Sequence, residues 1–275
     1  MEDKSIVLNN NIKIRYLESK EDHISDRHIL FIHGLGSSAD RWLDIPDALS
    51  KYYHTIAVDL IGFGGSDKPA DINYTIEKFA EFILEFINKK GLNSDDNKKI
   101  ILVGHSLGGY IAVEFAIRNI ELIEKLVLID SSGFLKGPTP LLEQYLYAAK
   151  YTSYDNVRNV FEQMVSQPWK VSPALINTFI TRINSPGAKY PFESAYKNST
   201  TTQIDLSRLK SIEDIPTLII WGIKDNLIPI KHSDLFKQVL KKCKVEKIED
   251  AGHAPFAEKP ALICEVLHTF LSQNN

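Results

Sequence analysis

Ile101-Leu102-Val103-Gly104-His105-Ser106-Leu107-Gly108-Gly109-Tyr110-Ile111 runs from an apolar strand through Gly-x-Ser-x-Gly into an amphipathic stretch. The pattern predicts a sharp strand-to-helix turn with a serine at its tip, held in strained backbone geometry. Gly104 and Gly108 remove the Cβ atoms that would collide where strand and helix meet. The helix N-terminus aims free N–H groups and a partial positive charge at the serine oxygen and at any oxyanion beside it. The pentapeptide alone is a weak signal. With a strand before it and a helix after it, Ser106 reads as a nucleophile rather than part of a plain turn.

The same rhythm extends outward in both directions. Short apolar runs at Ile29–Ile32, Thr55–Val58, Ile100–Val103, Leu126–Ile129, Leu218–Trp221 and Val245–Ile248 alternate with amphipathic segments. This predicts an α/β fold, a mostly parallel sheet covered by helices. Ile76, Phe79, Ile83, Phe86 and Ile87 share one helical face, and Tyr110–Ile117 and Ala261–Phe270 behave likewise. A polar-tipped hairpin over residues 5–17, turning at Asn9-Asn10-Asn11, precedes the alternation. The rhythm breaks once, between Ser132 and Ser211, where prolines recur at 138, 140, 168, 173, 186 and 191 and aromatics are dense. We expect a helical cap over residues 134–210, inserted into a core made of residues 1–133 and 211–275. Tyr145, Tyr147, Tyr151, Phe161, Met164, Trp169, Phe179, Tyr190, Phe192 and Tyr196 are more apolar surface than a solvated linker tolerates. Part of it should line a cavity suited to small or medium, mainly uncharged substrates.

Composition narrows the function. The 275 residues are 44% hydrophobic and 24% charged, with a net charge of −3, as in ordinary globular proteins. No basic stripe is present to neutralise phosphates, so no nucleic-acid partner is expected. No apolar run approaches the length of a membrane span, and the acidic start Met1-Glu2-Asp3-Lys4 lacks a signal h-region. The two cysteines, Cys243 and Cys264, form neither a disulfide framework nor a metal motif. A cytoplasmic protein is the expectation.

A serine nucleophile needs a base, and the base needs an orienting acid. Asp225 follows the strand ending Trp221-Gly222, and His253 follows the strand ending at Ile248. Both therefore stand just past strand C-termini, where open α/β sheets place their sites. Asp130, at the end of Leu126–Ile129, is a serious rival for the acid, and Asp250 a weaker one. The Trp-Gly-x-x-Asp pattern favours Asp225. His23, His28, His54, His232 and His268 carry no motif and suit surface or structural roles, while His105 should pack or hydrogen-bond under the turn.

Acyl transfer also needs two N–H donors for the developing oxyanion. One is expected from Leu107 and the other from Leu35, in the small-residue loop His33-Gly34-Leu35-Gly36-Ser37-Ser38. His33 should tie that loop down. The glycines of Asp59–Pro69 superficially suggest a phosphate cradle, but no lysine follows in P-loop register. They read as a structural turn, with Asp59 holding the loop.

His33-Gly34, Asp59–Pro69, Gly104–Gly109, Asp225 and Gly252-His253, in that order, resemble the α/β-hydrolase superfamily from about residue 12 to the C-terminus, the cap excluded. The resemblance implies an eight-stranded mostly parallel sheet with helices on both faces, a helical cap after strand six, a Ser106–Asp225–His253 triad, and neither cofactor nor metal. Haloalkane dehalogenases and soluble epoxide hydrolases are similar in Gly62–Pro69 but carry aspartate where Ser106 stands. Meta-cleavage C–C hydrolases are similar in loop and cap, yet usually show asparagine and tryptophan where this chain has His105 and Ala254. Hydroxynitrile lyases and triad-retaining ligand receptors stay open as further alternatives. Gly-His-Ser-Leu-Gly-Gly is most similar to carboxylesterases, lactonases and acylglycerol lipases. The expectation is a carboxylic-ester hydrolase acting on a small-molecule substrate, with C–C hydrolysis as the alternative.

Overall fold

Alternate residues of each central strand enter two different hydrophobic clusters, one on each side of a single sheet. Leu30, Ile32, Ile100 and Leu102 join one cluster, whereas Ile29, Phe31, Ile101 and Val103 join the other. That two-residue period, with both faces buried, makes the strands read as unbroken apolar runs. The computed structural model describes residues 1–20, 26–42, 44–93 and 99–273. The strands are β1 (Glu2–Val7), β2 (Lys13–Glu18), β3 (His28–Ile32), β4 (His54–Val58), β5 (Ile100–His105), β6 (Ile123–Ile129), β7 (Thr217–Gly222) and β8 (Cys243–Ile248). They lie in the order β1-β2-β4-β3-β5-β6-β7-β8. β2 is antiparallel to both its neighbours, and all other pairs are parallel. The chain reverses its direction of winding between β3 and β5. Such a switch point opens a crevice at the strand C-termini.

The hairpin begins earlier than its apolar pattern suggests. Glu2–Lys4 pairs with Tyr16–Glu18, and Lys4 Nζ reaches Glu18 at 2.9 Å. An edge strand can be this polar because its ladder bonds and ion pairs do not depend on a buried face. Asn10 and Asn11 turn it with φ of 57° and 60°, a conformation asparagine tolerates.

Helices cover both faces: α1 (Asp44–Leu49), α2 (Ile76–Lys90) and α3 (Leu107–Arg118) arise between the early strands. α2 starts where Thr75 Oγ1 accepts from Lys78 N at 3.2 Å and stops at Gly91, whose φ is 68°. Between β6 and β7 the chain makes only helices: α4 (Pro140–Lys150), α5 (Tyr154–Met164), α6 (Pro173–Ile183), α7 (Lys189–Thr201) and the short α8 (Leu206–Leu209). Thr139, Ser153 and Ser172 cap α4, α5 and α6 through their side-chain oxygens. Pro140 and Pro173 sit at the first helical position, so they start helices rather than interrupt them. Ile204 N donates to Gly133 O at 2.7 Å, drawing the two ends of this excursion together, and α8 packs on α3. The last helices are α9 (Lys231–Val239), α10 (Pro255–Glu258) and α11 (Pro260–Ser272). No helix of the described residues is long and apolar enough to cross a membrane.

The aromatic content of the excursion divides in a way composition does not reveal. Tyr145, Phe161 and Phe179 form one ring cluster, with Tyr145–Phe179 centroids 5.4 Å apart and Phe161–Phe179 centroids 5.2 Å apart. Phe192 and Tyr196 are also buried. Tyr147, Tyr151, Trp169 and Tyr190, by contrast, face solvent, Trp169 at 78% exposure. The apolar surface of this segment is therefore covered only in part, these four rings lying outside it. Single apolar residues on a protein surface are common and need no partner.

Candidate active site

Ser106 stands at the tip of the turn between β5 and α3 with φ 54° and ψ −119°. The strain persists because the surroundings over-determine it. Ser106 N donates to Ile129 O at 3.0 Å, and Ser106 O accepts from Gly109 N at 3.0 Å and Ser132 N at 3.1 Å. A Cβ on Gly104 would lie 2.3 Å from Gly108 O, and one on Gly108 would lie 2.2 Å from Ile32 O. Only glycine lets α3 run this close to β3 and β5.

Asp225 and His253 are in contact. His253 Nδ1 is 2.8 Å from Asp225 Oδ2, and Asp225 Oδ1 accepts from Leu227 N at 2.8 Å and Ile228 N at 3.0 Å. Both side chains are buried. Because Asp225 Oδ2 accepts a hydrogen bond from Nδ1–H, Nε2 is left as the acceptor able to act as a base. Ser106 and His253 line one cavity of about 130 Å³. No hydrogen bond joins their side chains among the described residues, and contacts of this kind commonly tighten only in the Michaelis complex.

Asp130 is next to this pair but is engaged differently. Its Oδ1 accepts from Gly222 N at 2.9 Å, and its buried Oδ2 has no partner among the polar groups that can donate. Burial, and then the charge of Asp225, push its carboxyl well above the ordinary range. Asp250 is exposed and pairs with Lys224 at 2.7 Å. Asp130, Asp225 and His253 each place one possible metal-ligand atom within 4.8 Å of the others. Asp225 Oδ2 is committed to His253 Nδ1, its Oδ1 to two backbone N–H groups, and Asp130 Oδ1 to a third. The donor set fits a hydrogen-bonded acid–imidazole pair better than a cation.

Leu35 lines the cavity, whereas Leu107 adjoins it only through Ser106. Neither N–H has a protein acceptor among the described residues. His33 holds the Leu35 loop: its Nε2 accepts from Leu60 N at 3.0 Å, which leaves Nδ1–H to donate to Gly34 O at 2.8 Å. Burial lowers its affinity for a second proton. Asp59 braces the next loop through Ala39 N at 2.6 Å, Gly65 N at 2.7 Å and Arg15 Nη1 at 3.0 Å. His105 does more than pack: its Nε2 lies 2.7 Å from the carbonyl of His253, and burial keeps it neutral. His28 and His54 contact each other at 2.8 Å, and His232 is buried away from any motif; His23 lies outside the described residues.

Several residues of the site carry no sequence signal. Tyr145 Oη donates to Leu35 O at 3.0 Å from α4. Glu258, buried, accepts from Gly252 N at 2.8 Å and from both Ser166 N and Ser166 Oγ at 2.8 Å. His253 N itself donates to Met164 O at 2.7 Å. The histidine loop is thus stitched to the end of α5. Arg41 and Arg182 also line the cavity, which composition alone leads one to expect to be apolar.

With this geometry in view, comparison with known proteins is informative. The family described as alpha/beta hydrolase fold matches residues 27–260. Lipase 3 of Moraxella sp. (strain TA144) is 30% identical over 269 residues, covering 94% of this chain and 81% of that protein. The 2-hydroxy-6-oxo-6-(2'-aminophenyl)hexa-2,4-dienoic acid hydrolase of Metapseudomonas resinovorans is 25% identical over 272 residues, covering 95% and 88%. The solved structure of a meta-cleavage product hydrolase from Pseudomonas fluorescens IP01 superposes with a TM-score of 0.86 at 24% identity, covering 99% of this chain and 98% of the other. By sheet order, by the strained serine turn and by these similarities, the chain belongs to the α/β-hydrolase fold family.

Proposed function

We propose that this hydrolase cleaves carboxylic esters through an acyl-enzyme, with Ser106 as nucleophile, His253 as general base and Asp225 as the orienting acid. The observation that carries the reading is the meeting, in one cavity, of a strained serine and an imidazole paired to a buried carboxylate at 2.8 Å. Ser106 Oγ attacks the acyl carbon while its proton passes to His253 Nε2. The carbonyl oxygen becomes an oxyanion and receives the N–H groups of Leu35 and Leu107. His253 returns the proton to the leaving alcohol as its C–O bond breaks. Water, deprotonated by the same nitrogen, then releases the acid. The chemistry calls for no cofactor.

Similarity to a protein named as a lipase supports ester bonds as the target. Residues 134–210 would act as the cap, since Leu142, Tyr145, Phe161 and Phe179 from that segment wall the cavity above Ser106. Two free thiols, Cys243 and Cys264, suit a reducing cytoplasmic setting. C–C hydrolysis of the meta-cleavage type is the second reading, favoured by similarity along nearly the whole chain to the dienoic acid hydrolase. His105 and Ala254 weigh against it.

A fluorophosphonate mapped by mass spectrometry, followed by ester, lactone and dienoate panels with Ser106→Ala as blank, tests the proposal. Label on Ser106 and turnover of esters above dienoates support it. Label on another serine, or turnover of the dienoate alone, overturns it.

A further inference from the structure

The wall of the catalytic cavity is mainly apolar, and among the described residues the arginines and carboxylates that could charge it have one sign. Arg41 and Arg182 line it, and no aspartate or glutamate does among the described residues. Arg182 is already neutralised, with Nη2 2.6 Å from Asp40 Oδ2. Asp40 is shared in turn with Arg15, at 2.9 Å. Arg41 differs. Its guanidinium has neither a carboxylate nor any other hydrogen-bond partner among the described residues, although Asp40 precedes it in the chain. Burial and the nearby charge of Arg182 lower its affinity for the proton, yet an arginine still keeps its charge at neutral pH. Among the described residues, therefore, Arg41 is an uncompensated cation in a mainly apolar chamber, a costly arrangement unless a ligand supplies the missing charge.

Position supports a role toward substrate rather than toward folding. Arg41 follows directly on the loop that carries Leu35, and its charge is felt both at His105, under the nucleophile, and at Tyr145, which holds Leu35 O. An anion on Arg41 would thus lie in the same chamber as the reacting carbonyl. A planar carboxylate matches the guanidinium fork with two parallel hydrogen bonds, and its single charge equals the single one left unpaired. Leu142, Leu175 and Phe179 provide surface for an apolar body.

We infer that Arg41 forms an anion subsite within the catalytic cavity, and that the substrate is an ester bearing one carboxylate on an apolar chain. This rests on the ester-hydrolase reading and differs from the expectation of mainly uncharged substrates.

The test is a ratio. Specificity constants are measured for p-nitrophenyl half-esters of succinic to suberic acid and for isosteres in which an isopropyl group replaces the carboxylate. For a carboxylate on the alcohol side, 4-carboxyphenyl butyrate is paired with its 4-carbamoyl analogue. Within each protein the charged-to-neutral ratio cancels any loss of folded enzyme. In at least one pair the native ratio should exceed one, fall tenfold or more in Arg41→Gln, and recover in part in Arg41→Lys, which keeps the charge but not the fork. A ratio below one throughout, or one that Arg41→Gln does not change, overturns the subsite. Binding to Ser106→Ala separates the two claims. Arg41-dependent calorimetric binding of adipate with no ester turned over would sustain the subsite and sink the ester reading. Arg41-dependent binding of butyl phosphate in preference to hexanoate would overturn the carboxylate assignment.

Discussion

Asp130 and Asp225 place carboxylate oxygens within 4.8 Å of each other in a buried site, yet only Asp225 is hydrogen-bonded to His253. Two such groups cannot both ionise cheaply. Asp225 accepts three hydrogen bonds, whereas Asp130 accepts one backbone N–H, and burial beside Asp225 raises its affinity for a proton.

The pair therefore separates by mutation. Asp225→Asn should lower turnover by about 10⁴-fold, because the imidazole loses its tautomer and its counter-charge. Asp130→Asn keeps an acceptor for Gly222 N and a donor toward Asp225, so turnover should stay within about tenfold of the native protein. Steady-state kinetics decides, and a reversed result would move the acid to β6.

The raised affinity of Asp130 for its proton has a pH signature. An unfolded aspartate ionises near about 3.9, while folded Asp130 keeps its proton to higher pH. Stability from this group is full below that unfolded value and is lost as pH rises toward the folded one. The Asp130→Asn protein lacks the slope, so its denaturation midpoint relative to the native protein should climb as pH rises above about 4. A constant or falling difference would mean that Asp130 is charged.

Glu258 joins Gly252 to Ser166 and so sets the position of His253 from the α5 side. Removing a buried charged acceptor costs roughly 3 kcal/mol of stability, and even a 1 Å displacement of the base costs about 10²-fold in rate. Glu258→Ala should lower both the unfolding free energy and turnover, with a smaller change in Michaelis constant. Full turnover in a destabilised protein would show that His253 is held without it.

Phe179 lies on the cavity wall and in the ring cluster with Tyr145 and Phe161. One methylene is worth about 1–3 kcal/mol in an apolar pocket, so Phe179→Ala should move the preferred acyl length upward with changes of tenfold or more. Specificity constants across an ester series test this. An unchanged profile would place the acyl group elsewhere.

The residues that carry this chemistry were legible where local geometry imposes a pattern. Glycines 104 and 108 are required because a Cβ at either would lie 2.3 or 2.2 Å from a backbone oxygen, and that necessity is written as Gly-x-Ser-x-Gly. The strands read clearly because both sheet faces are buried, and Asp225 and His253 stood out because each follows such a strand. Polar β1 was read short, because an edge strand needs no apolar face. The exposed rings of Tyr147 and Trp169 were misjudged because composition does not say which side of a helix meets the core.

By itself, then, the sequence determined the layered architecture, the strained turn at Ser106 and the candidate triad, since each follows from periodicity or from steric limits within a few residues. Tertiary structure alone decided that Asp225 rather than Asp130 accepts the His253 hydrogen bond, that Glu258 anchors the histidine loop, and that Arg41 faces the cavity without a counter-ion among the described residues. Those outcomes depend on contacts between segments far apart in the chain, 28 residues for Asp225 with His253 and 92 for Ser166 with Glu258, and charge and hydrogen bonding act through space.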